Sequence, residues 1–308
     1  MKLARGMTGW TALRRVVQTA VTFIALTGSV FPQTSWEWQN PVPTGNGLTA
    51  ARYISGGTCV VVGENATVLR TVDNGMKWEV LSCAANRSAT LNALDFADSS
   101  FGIAVGDSGV MLKSTDGGRL WTPLYGGTMA SLRGIDMIDH ANAVAVGTNG
   151  TILTTRDGGA LWTGQTLLPG LVLHDVSFVN HNLGIAVGDQ GVVARSTDGG
   201  DSWESRSLTP HHLNAISWID ELTAVAVGGS DPDSITGLTY AIVLRSTDSG
   251  LSWDSLYPAD TEVLVDVTTL RDGSGLAASA ANGYQVNSAI LRTTNGGLTW
   301  VRTPDFGS

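Results

Sequence analysis

Six acidic or amide side chains stand at a fixed offset from a hydroxyl, a glycine and a tryptophan, and they are the first candidates for chemistry in this chain. The pattern Ser/Thr-x-Asp-x-Gly-x-x-Trp is plainest at Ser196–Trp203, around Asp198, and recurs at Thr71–Trp78, Ser114–Trp121, Thr155–Trp162 and Ser246–Trp253. A sixth copy, Thr293–Trp300, carries Asn295 in the Asp position. Repeated carboxylates suggest metal ligands or catalytic acids, but identical turns spread through one chain cannot all be one active site. A short Asp accepts hydrogen bonds from nearby turn N–H groups, a preceding hydroxyl reinforces it, and Gly supplies positive φ. The tryptophan offers a large apolar face at the start of a strand. Asp73, Asp116, Asp157, Asp198, Asp248 and Asn295, with Trp78, Trp121, Trp162, Trp203, Trp253 and Trp300, are therefore read as structural.

Other candidates are sparser. His211-His212 begins a metal site without a third ligand at metal-site spacing. Asp231-x-Asp233 has part of a calcium loop but lacks its Gly and Glu positions. Arg70, Lys113, Arg195, Arg245 and Arg292 recur just before the boxes; their stems are expected to cover apolar surface while the charges reach solvent or an acid. Cys59 and Cys83 are expected to be unpaired and largely buried, because the strand placement separates them beyond disulfide reach. Among six Glu residues no pair has glycosidase character. No cofactor and no metal are expected.

The elements that position these residues follow from the repeat. Successive box tryptophans are 43, 41, 41, 50 and 47 residues apart, a period that signals a propeller or solenoid. Three strand signals precede each box. The first is a Leu-x-x-apolar-x-aromatic run, seen at Leu91–Phe96, Leu132–Met137, Leu173–Phe178 and Leu213–Trp218, with looser forms at Leu48–Tyr53 and Leu264–Thr269. The second is a small-apolar run ending in Gly, such as Ala143–Gly147, suited to a strand covered on both faces. The third runs into the box, and the tryptophan opens a fourth. Four antiparallel strands per repeat make an all-β propeller of six blades. Ser35–Pro41 resembles an outermost strand without a blade, so a seventh blade stays open if the chain is a fragment.

Residues 1–35 read as a targeting segment: Lys2, Arg5, Arg14 and Arg15 precede the apolar run Val16–Val30, which is short for a membrane span. An uncleaved anchor is the alternative. The whole chain has 18 basic and 27 acidic residues; without this segment, which holds four basic and no acidic ones, the balance is 14 to 27, or −13. That charge argues against a nucleic-acid partner. The domain is then 36–308, with no membrane span, in a chain exported to the periplasm, cell surface or exterior of a bacterium.

Strand order divides the loops between two faces. The box turns lie on one. The strand two-to-three loops and the links between repeats lie on the other, and both insertions, Gly229–Tyr240 and Ser279–Ser288, fall there. Long loops on a rigid scaffold collect binding residues. The candidate partner face comprises Arg133, His174, His211, His212, Asp231, Asp233 and Tyr240, with Asn92 and Asn214 equivalent to Arg133 and His174, and Asn86, Arg87, Tyr284 and Gln285 nearby.

The eight-residue motif resembles the Asp-box, or bacterial neuraminidase repeat. The longer pattern Gly-x-Ala-Val-Gly-x-x-Gly…Asp-Gly-Gly-x-x-Trp, nearly whole at Gly102–Trp121 and Gly184–Trp203, resembles the photosystem II stability/assembly factor-like propellers over nearly all of 36–308. Plant and cyanobacterial members of that group are lumenal chaperones holding a photosystem subunit, and many other bacteria export relatives of unknown role. The resemblance implies a non-catalytic scaffold for a protein or polypeptide partner. The alternatives are a carbohydrate-binding or adhesion module, with a glycan partner, and a sialidase-like glycoside hydrolase. Sialidases share only the box: their Arg-Ile-Pro segment is missing, the nearest stretch being Arg52-Tyr53-Ile54-Ser55.

Overall fold

The structure, a computed structural model, describes residues 44–83, 88–230, 239–256, 263–279 and 289–303. These form six four-stranded antiparallel sheets, each built from four strands consecutive in sequence, arranged as a six-bladed propeller. The innermost strands are Leu48–Ser55, Leu91–Phe96, Leu132–Met137, Leu173–Phe178, His212–Trp218 and Leu264–Thr269. The second strands Gly102–Gly106, Ala143–Gly147 and Gly184–Gly188 are buried at every position, as their Ala and Val content requires. The targeting segment and Ser35–Pro41 lie outside the described residues.

Hydrophobic clusters form between neighbouring sheets, joining blades one and two, two and three, three and four, four and five, and five and six. Each box tryptophan from the second blade onward packs into the cluster shared with the preceding blade. Trp121 and Trp162 are buried, while Trp203, Trp253 and Trp300 are half-buried. Among the described residues Trp78 packs against its own blade's cluster, and the innermost strands of blades six and one pack far less than the other five neighbouring pairs. One detail differs from the sequence reading. Each tryptophan immediately precedes the outer strand, which begins at Glu79, Thr122, Thr163, Glu204, Asp254 or Val301.

Inside the box the labour divides in a way the motif alone does not reveal. The Ser or Thr hydroxyl accepts the buried glycine N–H, as in Gly200 N to Ser196 Oγ at 2.8 Å, and donates to the Asp, as in Ser196 Oγ to Asp198 Oδ1 at 2.8 Å. The Asp accepts an exposed N–H four residues on, Ser202 N to Asp198 Oδ1 at 2.9 Å. The other five boxes repeat all three bonds. Gly200 has φ of 96°, where a Cβ would also stand 2.9 Å from Val144 Cγ2, so glycine is required there on two counts.

The basic residues before the boxes do more than cover apolar surface. Arg70 Nε donates to Gly117 O at 2.8 Å, Arg195 Nε to Ser249 O at 2.7 Å and Arg245 Nε to Gly296 O at 2.6 Å. Each therefore fastens its blade to the backbone of the next blade's box. This corrects the expectation that their charges reach solvent or an acid: an orphaned turn carbonyl is the nearer acceptor. Arg292, in the sixth blade, is exposed. Cys59 is fully buried and Cys83 half-buried, both as free thiols. Burial pushes the Cys59 thiol up to about 12, so it is unreactive.

Candidate functional site: the channel mouth opposite the boxes

The six innermost strands line a central channel of about 210 Å³. Strand alternation decides which side chains enter it. The fifth residue of the run that starts at Leu gives Arg52, Asp95, Asp136, Ser177, Ser217 and Thr268 around the ring, and the third gives Asp175 and Asp266. Several of these groups stitch neighbouring blades. Asp95 Oδ2 accepts Met137 N at 2.8 Å, Asp175 Oδ2 accepts Ile216 N at 3.0 Å, and Asp136 Oδ2 accepts Phe178 N. Arg52 Nε pairs with Asp95 Oδ1 at 2.8 Å. Loss of water contact, then the neighbouring Asp95 charge, holds the Asp136 carboxyl well above the usual carboxylate range.

Asp95 and Asp136 hydrogen-bond to each other. A glycosidase needs its two carboxyl groups about 5–10 Å apart, so this contact pair lacks that geometry. Its groups are committed to the wall between blades. Sequence reasoning passed over Asp95, Asp136 and Asp175, although the shared fifth position of Asp95 and Asp136 within the Leu-initiated run was readable.

At the mouth opposite the boxes the predicted residues separate into two sets. Arg133 and His174, the second residues of their Leu-initiated runs, line the channel together. His212 opens the next innermost strand beyond His174 and belongs to the same mouth, whereas His211 sits in the link just outside, half-buried, its N–H donating to Thr209 Oγ1 at 3.3 Å. Tyr240 is 56% exposed and stands apart from the channel, at the base of an insertion closed by Ser230 N to Tyr240 O at 3.0 Å and Tyr240 N to Ser230 Oγ at 3.0 Å. Asp231, Asp233, Asn86, Arg87, Tyr284 and Gln285 lie outside the described residues.

Acidic residues at the first position after the second strand complete the mouth, and the sequence reading missed them. A tight turn at that point closes through a left-handed residue, Ser108 at φ 57° or Gln190 at 54°, and presents Asp107 or Asp189 beside the innermost strand. The Gly-Asp-x-Gly at 106–109 and 188–191 was the available signal. Asp107 Oδ1 accepts Asn92 Nδ2 at 2.9 Å and lies 3.8 Å from Arg133 Nη1. Asp189 Oδ1 lies 2.8 Å from His174 Nε2 and 2.9 Å from His212 Nδ1, while its Oδ2 accepts Val172 N at 2.9 Å. Burial opposes ionisation of Asp189, but the His174 and Val172 hydrogen bonds and the two imidazoles outweigh it and bring the carboxyl down to about 2. The mouth thus offers cationic, imidazole and carboxylate groups on rigid strand ends, suited to holding a polar ligand.

Comparison with known proteins places this geometry in context. Residues 165–304 match the family model described as photosynthesis system II assembly factor YCF48. The structure of YCF48 bound to D1 peptide is similar with a TM-score of 0.66 and 20% identity, over 88% of this chain and 88% of that one. YCF48 from Cyanidioschyzon merolae gives 0.67 and 20%, over 89% of this chain and 90% of that one. The GH74 xyloglucanase from Xanthomonas campestris gives 0.67 and 14%, covering 85% of this chain and 46% of that one. At these identities the structural likenesses speak for the fold alone. No curated protein matches the chain. The chain is an Asp-box β-propeller resembling the photosystem II assembly-factor group, with the YCF48 family pattern matched over residues 165–304.

Proposed function

We propose that the protein is an exported, non-catalytic scaffold whose face opposite the boxes binds a protein or polypeptide segment. The observation that carries this reading is the YCF48 family pattern over 165–304, and one structure of similar fold is that of YCF48 bound to D1 peptide. The geometry supports it. Arg133, His174 and His212 stand on strand ends at one mouth. The basic start and apolar run of residues 1–35 support export. Among the described residues no helix is long and apolar enough to cross a membrane.

A carbohydrate-binding reading draws on the likeness to the GH74 fold. One experiment separates the readings. The purified chain, with Arg133→Glu and Asp231/Asp233 charge-swapped variants beside it, is used to capture proteins from the host's envelope fraction. The same preparations are tested on a glycan array and for hydrolysis of xyloglucan and a sialoside. Capture of a specific protein that weakens at least 10-fold in the variants supports the scaffold. Glycan binding without protein capture, or turnover of either sugar, overturns it.

A further inference from the structure

His174, Asp189 and His212 converge although they are scattered in sequence. Asp189 is 15 residues from His174 and 23 from His212, and they come from two blades. One ligand atom from each lies within 4.8 Å of the others. The rings are edge-on, with centroids 6.4 Å apart and planes at 87°, so their nitrogens aim at one carboxylate oxygen instead of stacking. The far oxygen of Asp189 is held by Val172 N at 2.9 Å, which orients Oδ1 toward the imidazoles. Side-chain exposures of 19%, 20% and 33% leave the cluster shielded yet reachable from the mouth.

From this geometry we propose that His174, Asp189 and His212 bind one divalent transition-metal ion, with zinc the best match. Two imidazoles and a carboxylate form a donor set that suits zinc or a neighbouring first-row metal and not calcium or magnesium, which demand oxygen ligands. Bonds of about 2.0–2.1 Å in a tetrahedral arrangement put ligand atoms about 3.3 Å apart. The present separations of 2.8 and 2.9 Å need to open by only a few tenths of an ångström. The fourth position remains for water or a group from a partner.

The equivalent place one junction earlier shows what is particular here. At Asp107 the carboxylate faces an amide, Asn92, and a fixed cation, Arg133, and neither supplies an imidazole. In the third blade the acid is replaced by Thr148. On the box face, His140–Asp98 and His181–Asp139 are simple pairs with one imidazole each. Only at the junction of blades four and five do two imidazoles share an acid, among the described residues.

The test uses the untagged chain, metal-stripped, titrated with Zn²⁺ by calorimetry and with Co²⁺ by visible absorption. One equivalent should bind, with a Co²⁺ spectrum lacking a thiolate charge-transfer band, and Zn²⁺ should raise Tm by linkage to the folded state. Removing a ligand should weaken binding at least about 10–100-fold, the loss typical of even outer-shell changes. His174→Ala and His212→Ala report this directly. His174→Asn and His212→Asn keep a polar group and guard against misfolding, which circular dichroism checks. His211→Ala and Cys83→Ser should leave affinity unchanged. Absence of a stoichiometric site in the native chain overturns the proposal. So does binding that survives His174→Ala and His212→Ala, or that is lost in His211→Ala or Cys83→Ser.

Discussion

Replacing Ser196 by Ala should destabilise the propeller more than replacing Asp198 by Ala, although the repeat is recognised by its Asp. Ser196 is 1% exposed, and its hydroxyl is the acceptor for the buried Gly200 N–H at 2.8 Å. No water takes its place, so Ser196→Ala leaves a buried donor unsatisfied at a cost of about 1–3 kcal/mol. Asp198 serves Ser202 N at 2.9 Å and the Ser202 hydroxyl, both at the exposed surface, where water substitutes. Its loss should cost about 0.5–1.5 kcal/mol. Urea unfolding followed by tryptophan fluorescence resolves the two: with m near 2 kcal/mol/M, a loss of 2 kcal/mol lowers the midpoint by about 1 M. Ser196→Thr is the control. Thr71, Thr155 and Thr293 make the same bond to their glycines at 3.0 Å, so this variant should keep the native midpoint to within about 0.5 kcal/mol. If Asp198→Ala proves costlier than Ser196→Ala, the division of labour within the box is wrong.

Three further outcomes follow from the same structure. Trp121 Nε1 donates to Gly118 O at 3.0 Å, whereas buried Trp162 Nε1 has no partner among the described residues, so Trp121→Phe should cost about 0.5–1.5 kcal/mol more than Trp162→Phe in urea unfolding. Burial opposes ionisation of Asp198, but hydrogen bonds outweigh it there, and at Asp248 the bonds from Ser252 lead, so both carboxyls are held down to about 2, against 3.8 ordinarily. A depressed carboxyl stabilises the fold above its unfolded value, and that stability is lost as pH falls from about 4 toward 2; Asp198→Asn with Asp248→Asn should flatten the fall in thermal scans across this window. Asp136 has the opposite sign. Its raised carboxyl disfavours the fold above pH 3.8, so Asp136→Asn, whose amide oxygen still accepts Phe178 N–H, should raise Tm at pH 7 and lose its advantage near pH 3. A Tm advantage that persists unchanged at pH 3 contradicts this.

The blade plan was legible in the sequence because its causes are local. The period of the boxes, the positive-φ glycines and the alternation of the Leu-initiated runs depend on residues a few positions apart, and strand order followed from them. What the sequence could not decide was which polar groups meet across blades. His212 looked like half of a metal site with no completing ligand, because ligand spacing was sought along the chain. His174 and Asp189 reach it only once two sheets pack side by side. Arg195 looked like a solvated cation because its acceptor, Ser249 O, is 54 residues away. Asp136 drew no reading at all, because only the packing of blades takes its carboxyl out of water and beside Asp95. Short-range turn chemistry and side-chain alternation are written in one dimension. Hydrogen bonding and desolvation between blades depend on a distance that exists only after the ring has formed.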